Sequence, residues 1–517
     1  MSHMESLADQ IVQYGVKHIF GIPGSGPSYT LIDLLCQKGV LFHLVHFEGC
    51  AAIMAGTVGR LSGKSGVSIA IKGPGLANLL PGLAACSLDS FPAVNITEAY
   101  APDVLPSQAH KRIDHTRLVT SVVKESAFWS EKESSFKSFA QTAEAECPGP
   151  VHLNITGGAQ EKEGRIQFSR YMPHEIDGDV LKAIERAQAP LFIAGSLAIR
   201  AGFTKHLNAL HIPVLTTASA KGVVDETLAH AAGVYTGAGL TLSPEENILS
   251  QADLLIAIGL RYNEVLTVRQ FPCASILLDP LGDSFSKDFN FDTIAWQNSE
   301  RFWEEFWVRF DGVAWGKERI AKSNEAMCSS LLPCGFMPAH VLNVVAGYFN
   351  GKNRVVVDTG LYCTVAEHFW NAISPSSYIG SGQGRYMGLS IPQGIAAALY
   401  DPSLPTVIFC GDGSIGMFVS ELKIAISNAL PLIVVLISDG KFGTLRDRAV
   451  NDGLTELPVT ISSPSWVKVM DALGMCAVCA DTESKLAAIL EDWDGKPLYI
   501  ETVFNSEDYR TMTKDIR

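Results

Sequence analysis

Basic residues, long apolar runs and a leader-like start are all scarce in this chain. Its 40 Lys and Arg residues stand against 54 Asp and Glu residues, which gives a net charge of −14. So acidic a chain is a poor partner for the phosphate backbone, and we expect no nucleic acid ligand. No apolar stretch approaches the about 18 residues that a membrane-spanning helix needs, so we predict no membrane segment. The first residues lack the basic-then-apolar pattern of a signal peptide.

The eleven cysteines are scattered rather than arranged as a disulfide or zinc framework. Cys476 and Cys479 have a redox-like or zinc-like spacing, but they lie in an apolar run, 473–480, that is typical of a strand. Residues three apart on a strand face opposite sides, so this pair is poorly placed to share a metal. We therefore expect ordinary buried thiols, kept reduced in a cytoplasmic setting.

The length of 517 residues fits about three domains, and 47% hydrophobic residues supply a large core. Apolar strand-like runs alternate with helix-like segments throughout the chain, which indicates parallel sheets connected by helices. We predict an α/β protein of three doubly wound parallel-sheet domains, covering residues 1–165, 178–310 and 337–510. The polar stretch 160–177 and the stretch 311–336 are interpreted as linkers.

Two aspartates in the third unit each follow a short apolar run. Asp412 follows residues 406–409, and Asp439, 27 residues later, follows residues 432–437. The segment between them has apolar residues at helical spacing, so the unit is strand–helix–strand. A helix of about fourteen residues rises roughly 21 Å, and a strand of about six residues returns roughly 20 Å. Asp412 and Asp439 are therefore expected side by side at the carboxyl ends of neighbouring strands, where α/β sheets bind ligands.

The residues around Asp412 are suited to an anionic ligand. Gly411 and Gly413 allow a ligand to approach the backbone closely. A helix predicted to begin at about Ile415 would direct free N–H groups to the same place. Two carboxylates beside such donors favour a Mg²⁺ ion that neutralises a diphosphate.

These motifs resemble those of the thiamine-diphosphate-dependent enzymes that include pyruvate decarboxylase, acetolactate synthase and benzoylformate decarboxylase. The Gly-Asp-Gly element with a second metal ligand about 27 residues later is a specific signature of that superfamily, and the resemblance extends over nearly the whole chain. It implies a pyrimidine-binding domain, a central domain and a diphosphate-binding domain, in this order. It also implies thiamine diphosphate and Mg²⁺ as cofactors.

The resemblance assigns the metal ligands residue by residue. Asp412 matches the first ligand, and the backbone carbonyl of Lys441 matches the third. Asp439 stands where relatives usually have asparagine, and Ser438 replaces the asparagine that often precedes it. An aspartate is still a hard oxygen ligand, so metal binding is expected to persist. The extra negative charge beside a diphosphate is expected to alter the affinity or the choice of divalent ion.

Glu48 matches the catalytic glutamate of these enzymes. In relatives this carboxyl hydrogen-bonds the aminopyrimidine ring of the cofactor and thereby promotes proton removal from the thiazolium carbon. We expect its apolar surroundings to raise its pKa, which would help it to share a proton. The alternative is a glutamate that only stabilises the start of the following helix.

Further cofactor contacts follow from the same resemblance. Met387 matches the bulky residue that supports the bent cofactor, although a methionine taken alone is more often core. The backbone around Arg385 and Met387 is expected to contact the aminopyrimidine. The expected diphosphate-binding residues are Thr359, Gly360, Gly411, Gly413 and Ser414.

The substrate-binding residues are less sharply defined. Ser25 matches a substrate-binding serine of benzoylformate decarboxylase, or is simply a turn residue. Lys72 could bind a substrate carboxylate or phosphonate, or could be a solvated or salt-bridged lysine. His110, close to His115 in the chain, is a candidate acid–base group or a surface histidine.

Some positions depart from particular relatives. Leu445 occupies the place of a glutamate found in pyruvate decarboxylase, which makes plain pyruvate decarboxylation a weaker expectation. The stretch 260–263 resembles a flavin-contacting stretch of acetolactate synthase, but the central domain is short.

The chain is therefore expected to be a carbon–carbon lyase or carboligase that acts on a small 2-oxo acid. After decarboxylation it would release an aldehyde or transfer the acyl fragment to an acceptor. One alternative is a flavin-containing acetolactate synthase catalytic subunit, and another is a cofactor-binding protein without turnover. The resemblance places Glu48 and the metal site on different subunits, which implies a homodimer or homotetramer.

Overall fold

The computed structural model describes residues 3–101, 104, 109–130, 134–157, 175–239, 242–261, 264, 266–282, 289–333, 335–380 and 382–513. These residues form three six-stranded sheets, and every strand pair in each sheet is parallel. This arrangement confirms the predicted fold class of three doubly wound parallel sheets. No helix in the described ranges has both the length and the apolar character needed to cross a bilayer.

The first sheet has the strand order β2-β1-β3-β4-β6-β5. Its strands are β1 His18–Ile22, β2 Leu41–Leu44, β3 Gly66–Ala70, β4 Ala93–Glu98, β5 Ser126–Phe128 and β6 Pro150–Ile155. Its helices are α1 His3–Tyr14, α2 Pro27–Gln37, α3 Glu48–Ser62, α4 Pro74–Leu88, α5 His115–Val119 and α6 Phe136–Glu144. The order reverses between β1 and β3, so the loops after these two strands border a crevice of the kind that binds ligands.

The second sheet has the order β12-β11-β10-β7-β8-β9 and reverses between β7 and β10. Its strands are β7 Pro190–Ala194, β8 Val214–Thr216, β9 Ala231–Val234, β10 Leu254–Ile258, β11 Ala274–Leu278 and β12 Thr293–Ala295. Its helices are α7 Gly178–Arg186, α8 Leu197–Arg200, α9 Thr204–Ala209, α10 Pro244–Leu249 and α11 Glu300–Val308, with a 3₁₀ turn at Ala218–Ala220.

The third sheet has the order β14-β13-β15-β16-β18-β17 and reverses between β13 and β15. Its strands are β13 Arg354–Val357, β14 Tyr378–Gly380, β15 Thr406–Gly411, β16 Leu432–Ser438, β17 Cys476–Ala480 and β18 Leu498–Val503. The helices that precede or accompany it are α12 Lys317–Leu331, α13 Pro338–Phe349, α14 Leu361–Phe369, α15 Ser390–Tyr400, α16 Asp412–Phe418, α17 Leu422–Ser427, α18 Gly443–Asn451, α19 Trp466–Leu473, α20 Glu483–Glu491 and α21 Ser506–Thr513. Two 3₁₀ turns, Val419–Glu421 and Leu457–Val459, complete it.

One apolar cluster joins the first and third sheets. It contains Phe20 and Met54 from the first unit, and Val356 and Ile391 from the third. Each fully buried side chain of this kind contributes roughly 1.5–3 kcal/mol to folding. Helix α3 therefore packs on α15, so the helix that begins with Glu48 is fixed against the third sheet of its own chain.

Several sequence-based expectations are wrong in detail. The stretch 311–336 contains α12, whose residues Ile320, Met327 and Leu331 are buried at helical spacing, so it is not a plain linker. The low hydrophobicity of the other residues of α12 masked this pattern. Of the other predicted linker, residues 158–174 lie outside the described part of the chain.

The cysteine pair at 476 and 479 is also placed differently from the prediction. Both residues lie on β17, as expected, but β17 is an edge strand and both thiols are exposed. The apolar run predicted burial because sequence alone does not distinguish an edge strand from a central one. The ten cysteines that the structure describes are free thiols.

Buried neutral histidines are expected to make the fold sensitive to acid. Burial lowers the pKa of His152 to about 3 and that of His43 to about 4. Below pH 6.5 the unfolded chain binds protons at these rings while the folded chain does not. Each ring therefore lowers the free energy of unfolding by about 1.4 kcal/mol for every unit by which the pH falls. We expect the urea midpoint to fall from pH 6.5 to pH 4. The variant His152→Gln should show a smaller fall in the urea midpoint over this pH range, and the exposed control His211→Gln should show the same fall as the parent protein. Equal falls in the parent protein and both variants would contradict the account.

Candidate active site

The two aspartates predicted as metal ligands lie together at the carboxyl end of the third sheet. Strands β15 and β16 pair in register, with Gly411 opposite Ile437. Asp412 is the first residue of α16, and Asp439 follows β16 directly. The helix begins three residues before the expected Ile415, so Asp412 itself belongs to its first turn.

The carboxylate of Asp412 fixes the turn that contains Asp439. Its Oδ1 accepts a hydrogen bond from Ser438 Oγ at 2.8 Å. Its Oδ2 accepts from the backbone N–H groups of Asp439 and Gly440, each at 3.0 Å. Burial raises the pKa of Asp439 to about 6, and the charge of Asp412 adds to the rise. Two such close carboxylates are a good environment for a divalent cation, because the ion offsets their repulsion.

A cavity of about 250 Å³ opens at this point. It brings together all ten residues that the sequence assigned to the cofactor and metal in this part of the chain: Thr359, Gly360, Arg385, Met387, Gly411, Asp412, Gly413, Ser414, Asp439 and Lys441. Leu445 and Tyr509 also line it. The cavity lies at the reversal of strand order between β13 and β15, the position at which open α/β sheets bind ligands.

The cavity wall fits a diphosphate. The Oγ1 atom of Thr359 is buried and has no hydrogen-bond partner among the described residues, so it is available to a phosphate oxygen. Helix α14 begins directly after Gly360 and directs its first N–H groups to the same edge. A Cβ on Gly413 would lie 2.3 Å from Phe442 Cε1, so glycine at this position allows the Phe442 ring to pack closely in the cavity wall. The residues therefore fit thiamine diphosphate at its phosphate end.

The donor set also fits Mg²⁺ bound jointly by protein and diphosphate. The described residues contain no group of three or more His, Cys, Asp or Glu side chains that could hold a metal alone. Asp412, Asp439 and the carbonyl of Lys441 would be the protein ligands. Mg²⁺ commonly binds one or two carboxylates together with phosphate oxygens, and this arrangement leaves room for them.

Asp358 organises the cavity and was not among the predicted site residues. It directly follows β13, is 1% exposed, and accepts hydrogen bonds from Gly388 N at 3.0 Å and Ser414 Oγ at 3.1 Å. It also accepts from Ser390 N at 3.1 Å and Ser390 Oγ at 2.7 Å. One carboxylate thus fixes Ser414, the turn that follows Met387 and the start of α15. Burial raises the pKa of Asp358, while these donors oppose the rise.

Arg385 reaches the cavity with a backbone φ of +41°, an uncommon conformation for a side-chain-bearing residue. Its Nη1 donates to Glu367 Oε1 at 3.1 Å on α14. The guanidinium is thereby held against α14.

Glu48 is held by contacts from two directions. It is the first residue of α3 and is 7% exposed, and Asn78 Nδ2 donates to its Oε2 at 2.9 Å. The preceding backbone N–H groups of His46 and Phe47 donate to the buried Glu421 Oε1 at 2.9 and 3.0 Å. Glu421 follows α16, so the segment that begins with Asp412 also supports the start of α3. Sequence reasoning missed Glu421 because no local pattern indicates a contact across about 375 residues.

Ser25 lies in the loop after β1, beside the loop after β3 that contains Lys72. Beneath them, Glu98 accepts from Ser28 Oγ at 2.6 Å and from Lys72 Nζ at 2.7 Å. Ser28 Oγ in turn accepts from the backbone N–H of Gly24 at 2.8 Å. Burial alone would raise the pKa of Glu98, but the hydrogen bonds from Lys72 and Ser28 lower it below its ordinary value. Lys72 is thus a salt-bridged lysine that stabilises the Ser25 loop.

The two histidines of the 108–115 stretch differ in their surroundings. His110 is exposed, and its Nδ1 lies 3.1 Å from Tyr100 Oη. His115 is buried, and its Nε2 accepts from the backbone N–H of Gly73 at 3.1 Å while Nδ1 lies 2.7 Å from Asn154 Oδ1. Burial lowers the pKa of His115, so the ring is neutral and keeps this bonding pattern near pH 7.

The four predicted catalytic residues, Glu48, Ser25, Lys72 and His110, are absent from the cavity lining that the described residues form around Asp412. The structure therefore gathers the ten cofactor and metal residues at the reversal of the third sheet, whereas Ser25 and Lys72 lie in the loops after β1 and β3 of the first sheet. Their roles in catalysis stay predictions.

Replacement of Asp439 by asparagine provides a test of the metal site. Asp439→Asn removes one of two repelling charges and keeps a carbonyl oxygen, so we expect Mg²⁺-dependent cofactor binding to be retained or to tighten. Calorimetric titration of the cofactor at fixed Mg²⁺ would measure this. Loss of metal-dependent binding in this variant, with Asp452→Asn on the exposed end of α18 unaffected, would contradict the expectation.

Three family models match the chain in the order of the three sheets. They describe the N-terminal TPP-binding domain, the central domain and the C-terminal TPP-binding domain of thiamine pyrophosphate enzymes, and match residues 1–118, 178–299 and 358–502. The fold and the cavity thus define an α/β enzyme class that binds a diphosphate cofactor. The chain belongs to the superfamily of thiamine-pyrophosphate-dependent enzymes.

Similar proteins include acetolactate synthase large subunits. A probable acetolactate synthase large subunit of Methanococcus aeolicus is 24% identical over 95% of this chain and 90% of its own length. The isozyme 3 large subunit of Escherichia coli is 24% identical over 95% and 92%. The isozyme 2 large subunit of the same organism is 27% identical over 84% and 82%.

Proposed function

We propose that this protein is a thiamine-diphosphate- and Mg²⁺-dependent lyase or carboligase that acts on a small 2-oxo acid. The observation that supports this most directly is the single cavity that collects the ten predicted cofactor and metal residues around Asp412 and Asp439. The similar acetolactate synthases support the reaction class. After loss of CO₂, the remaining fragment would take up a proton and leave as an aldehyde, or would bond to an acceptor carbonyl.

The cofactor, when bound, would supply the electron sink that loss of CO₂ requires. Asp412, Asp439 and the Lys441 carbonyl would hold the metal, and Thr359 would bind the diphosphate. Met387 would support the bent shape of the cofactor. Glu48, buried and oriented by Asn78, would hold a proton at the aminopyrimidine ring.

The active site is proposed to be complete only in a homodimer or a homotetramer. Glu48 and Asp412 belong to two separate clusters of the chain, while the proposed chemistry needs both beside one cofactor. A second copy would bring its Glu48 to the cavity of the first. A cytoplasmic, thiol-reducing location is part of this proposal, in keeping with the exposed free thiols of Cys476 and Cys479.

The test is CO₂ release from a panel of 2-oxo acids with Mg²⁺ and thiamine diphosphate. We expect release from at least one acid, and none without cofactor. If the protein binds the cofactor and releases CO₂ from no acid, the proposed reaction is wrong and the binding-protein alternative is favoured.

Acetolactate synthesis is the second candidate, because the similar proteins described above are named acetolactate synthases. Its signature would be acetolactate formed from two pyruvate molecules. Flavin binding does not follow from this likeness, because a carboxylate already lies in the crevice of the central sheet. Glu264 accepts from Ser196 N at 2.9 Å and from Thr217 Oγ1 at 2.5 Å, at the strand-order reversal where a nucleotide phosphate would bind. Flavin absorbance in the purified protein would favour this candidate; Tyr262 and Asn263 of the flavin-like stretch lie outside the described residues.

A further inference from the structure

The turn at residues 382–385 leads into the two residues whose backbone is expected to contact the aminopyrimidine, Arg385 and Met387. The backbone N–H of Arg385 donates to the Gly382 carbonyl at 3.3 Å, which closes the turn. Arg385 and Met387 both line the cavity around Asp412. The path of this short segment therefore decides how its backbone meets a ligand in that cavity.

Two carboxylates, one from the third unit and one from the first, hold the segment on either side of Arg385 and Met387. Asp358 accepts from the backbone N–H of Gly388 at 3.0 Å. Asp89, the C-cap residue of α4, accepts through Oδ1 from the backbone N–H of Gly384 at 3.4 Å. The N–H of Gly382 also donates to Asp89.

The turn fits closely against the end of α4 because two of its residues are glycines. A Cβ on Gly382 would lie 2.4 Å from Asp89 Oδ1, and a Cβ on Gly384 would lie 3.3 Å from Leu88 Cδ1. A side chain at residue 382 would therefore push the turn away from Asp89.

Apolar contacts hold the same segment on helices α3 and α4. Leu389 forms a buried cluster with Ile53 of α3 and Ala85 of α4, and Tyr386 packs against that cluster. Such packing brings the segment to the first unit but does not orient its peptide groups. Hydrogen bonds are directional, so Asp89 supplies the orientation that the apolar contacts lack.

Asp89 is costly to stability as a buried acid. Burial raises its pKa to about 6, while the N–H groups of Gly384 and Gly382 and the charge of Arg385 oppose the rise. Its Oδ2 is buried and has no hydrogen-bond partner among the described residues. A buried oxygen left in this state calls for a role other than stability, and the turn is the part of the site that Asp89 contacts.

We propose that Asp89 is a positioning residue of the cofactor site, which orients the turn at 382–385 and thereby the backbone of Arg385 and Met387 toward the aminopyrimidine of thiamine diphosphate. This role rests on the proposed cofactor-dependent function. Among the described residues, those that line the cavity do not include Asp89, so it acts through the turn.

Two ligands distinguish the two ends of the cofactor site. Thiamine diphosphate would contact both ends, whereas inorganic pyrophosphate resembles only the diphosphate. Both would be titrated calorimetrically into the full chain at fixed Mg²⁺. Asp89→Ala is expected to weaken thiamine diphosphate binding by about tenfold and to leave pyrophosphate binding within about twofold. Asp89→Asn, whose carbonyl oxygen can still accept from the turn, should restore most of the affinity.

A matched control and a second variant complete the experiment. Asp492 is also the C-cap residue of its helix, α20, but is exposed, so Asp492→Ala should change neither affinity. Gly382→Ala disturbs the same contact from the other side and should reproduce the loss, which keeps the test available if Asp89→Ala does not fold. The double variant Asp89→Ala/Gly382→Ala should bind thiamine diphosphate no more weakly than the weaker single variant, because both changes remove one contact.

The outcomes separate the role of Asp89 from the proposed function. Unchanged thiamine diphosphate affinity in Asp89→Ala and Gly382→Ala would overturn the proposed role. Equal weakening of both ligands would overturn it as well, because Asp89 would then support the cavity as a whole. In either case the parent protein still binds the cofactor and the proposed function stands. Absence of thiamine diphosphate binding by the parent protein would overturn the function itself.

Discussion

Glu48→Gln is expected to bind thiamine diphosphate as the parent protein does and to lose about 10²–10⁴-fold in kcat, the usual size of a general acid–base contribution. Glutamine keeps the volume of the side chain and a carbonyl oxygen for Asn78, which donates to Glu48 Oε2 at 2.9 Å. It does not exchange a proton with the aminopyrimidine ring. Single-turnover CO₂ release together with calorimetric cofactor binding measures both parts of the prediction.

Mixed dimers give the Glu48 prediction its control. Glu48→Gln and Asp412→Ala chains should each be nearly inactive alone. Co-expressed, they should regain part of the activity, because one of the two sites in a mixed dimer would have both intact residues. No recovery in isolated mixed dimers would mean that the two residues do not meet across subunits. Full turnover by Glu48→Gln alone would remove this residue from the mechanism.

Asp358→Asn is expected to weaken thiamine diphosphate binding by about 10- to 100-fold. The amide presents an N–H group where the carboxylate accepts from Gly388, Ser390 or Ser414, so at least one buried donor loses its partner. The cavity wall between Met387 and Ser414 would shift in consequence. Cofactor titration at fixed Mg²⁺ provides the affinity.

A matched replacement distinguishes this role from a general loss of stability. Asp452→Asn, at the exposed C-terminus of α18, should leave the affinity unchanged. An unaltered affinity in Asp358→Asn would show that this carboxylate supports the fold without shaping the cofactor cavity. A change in the unfolding midpoint without a change in affinity would lead to the same conclusion.

The third sheet was the most predictable part of the molecule from sequence. Its strands β15 and β16 are continuous apolar runs that are buried on both faces, and a crossover helix fits between them. The spacing of Asp412 and Asp439 then follows from the rise of helix and strand alone. This local geometry explains why the cavity contains all the residues expected there.

The supporting contacts were not predictable, because they join residues that are far apart in the chain. Asp358 reads as the last residue of a strand, and its acceptor role depends on Ser390 and Ser414 in other elements. Glu421 reads as a helix residue, and its partners are backbone N–H groups about 375 residues away. The type of a residue does not show which acceptor its backbone N–H group will contact.

The role of Lys72 could also not be predicted from the residues around it in the chain. A lysine in a glycine-rich loop is compatible with a ligand-binding or a salt-bridged side chain, and only the position of Glu98 at the end of β4 decides between them. Lys111 and Arg112 lie in a segment with few apolar residues, so no periodic pattern places them beside Lys72. The fold brings these three together at the carboxyl end of the first sheet.

Calorimetric titration of the purified protein with thiamine diphosphate, with and without Mg²⁺, tests the central claim most directly. The account predicts one binding event per chain that requires the divalent ion and disappears in Asp412→Ala, whose remaining side chain offers no ligand to the metal. Absence of binding by the folded parent protein at saturating Mg²⁺, or equal binding by Asp412→Ala, would contradict it.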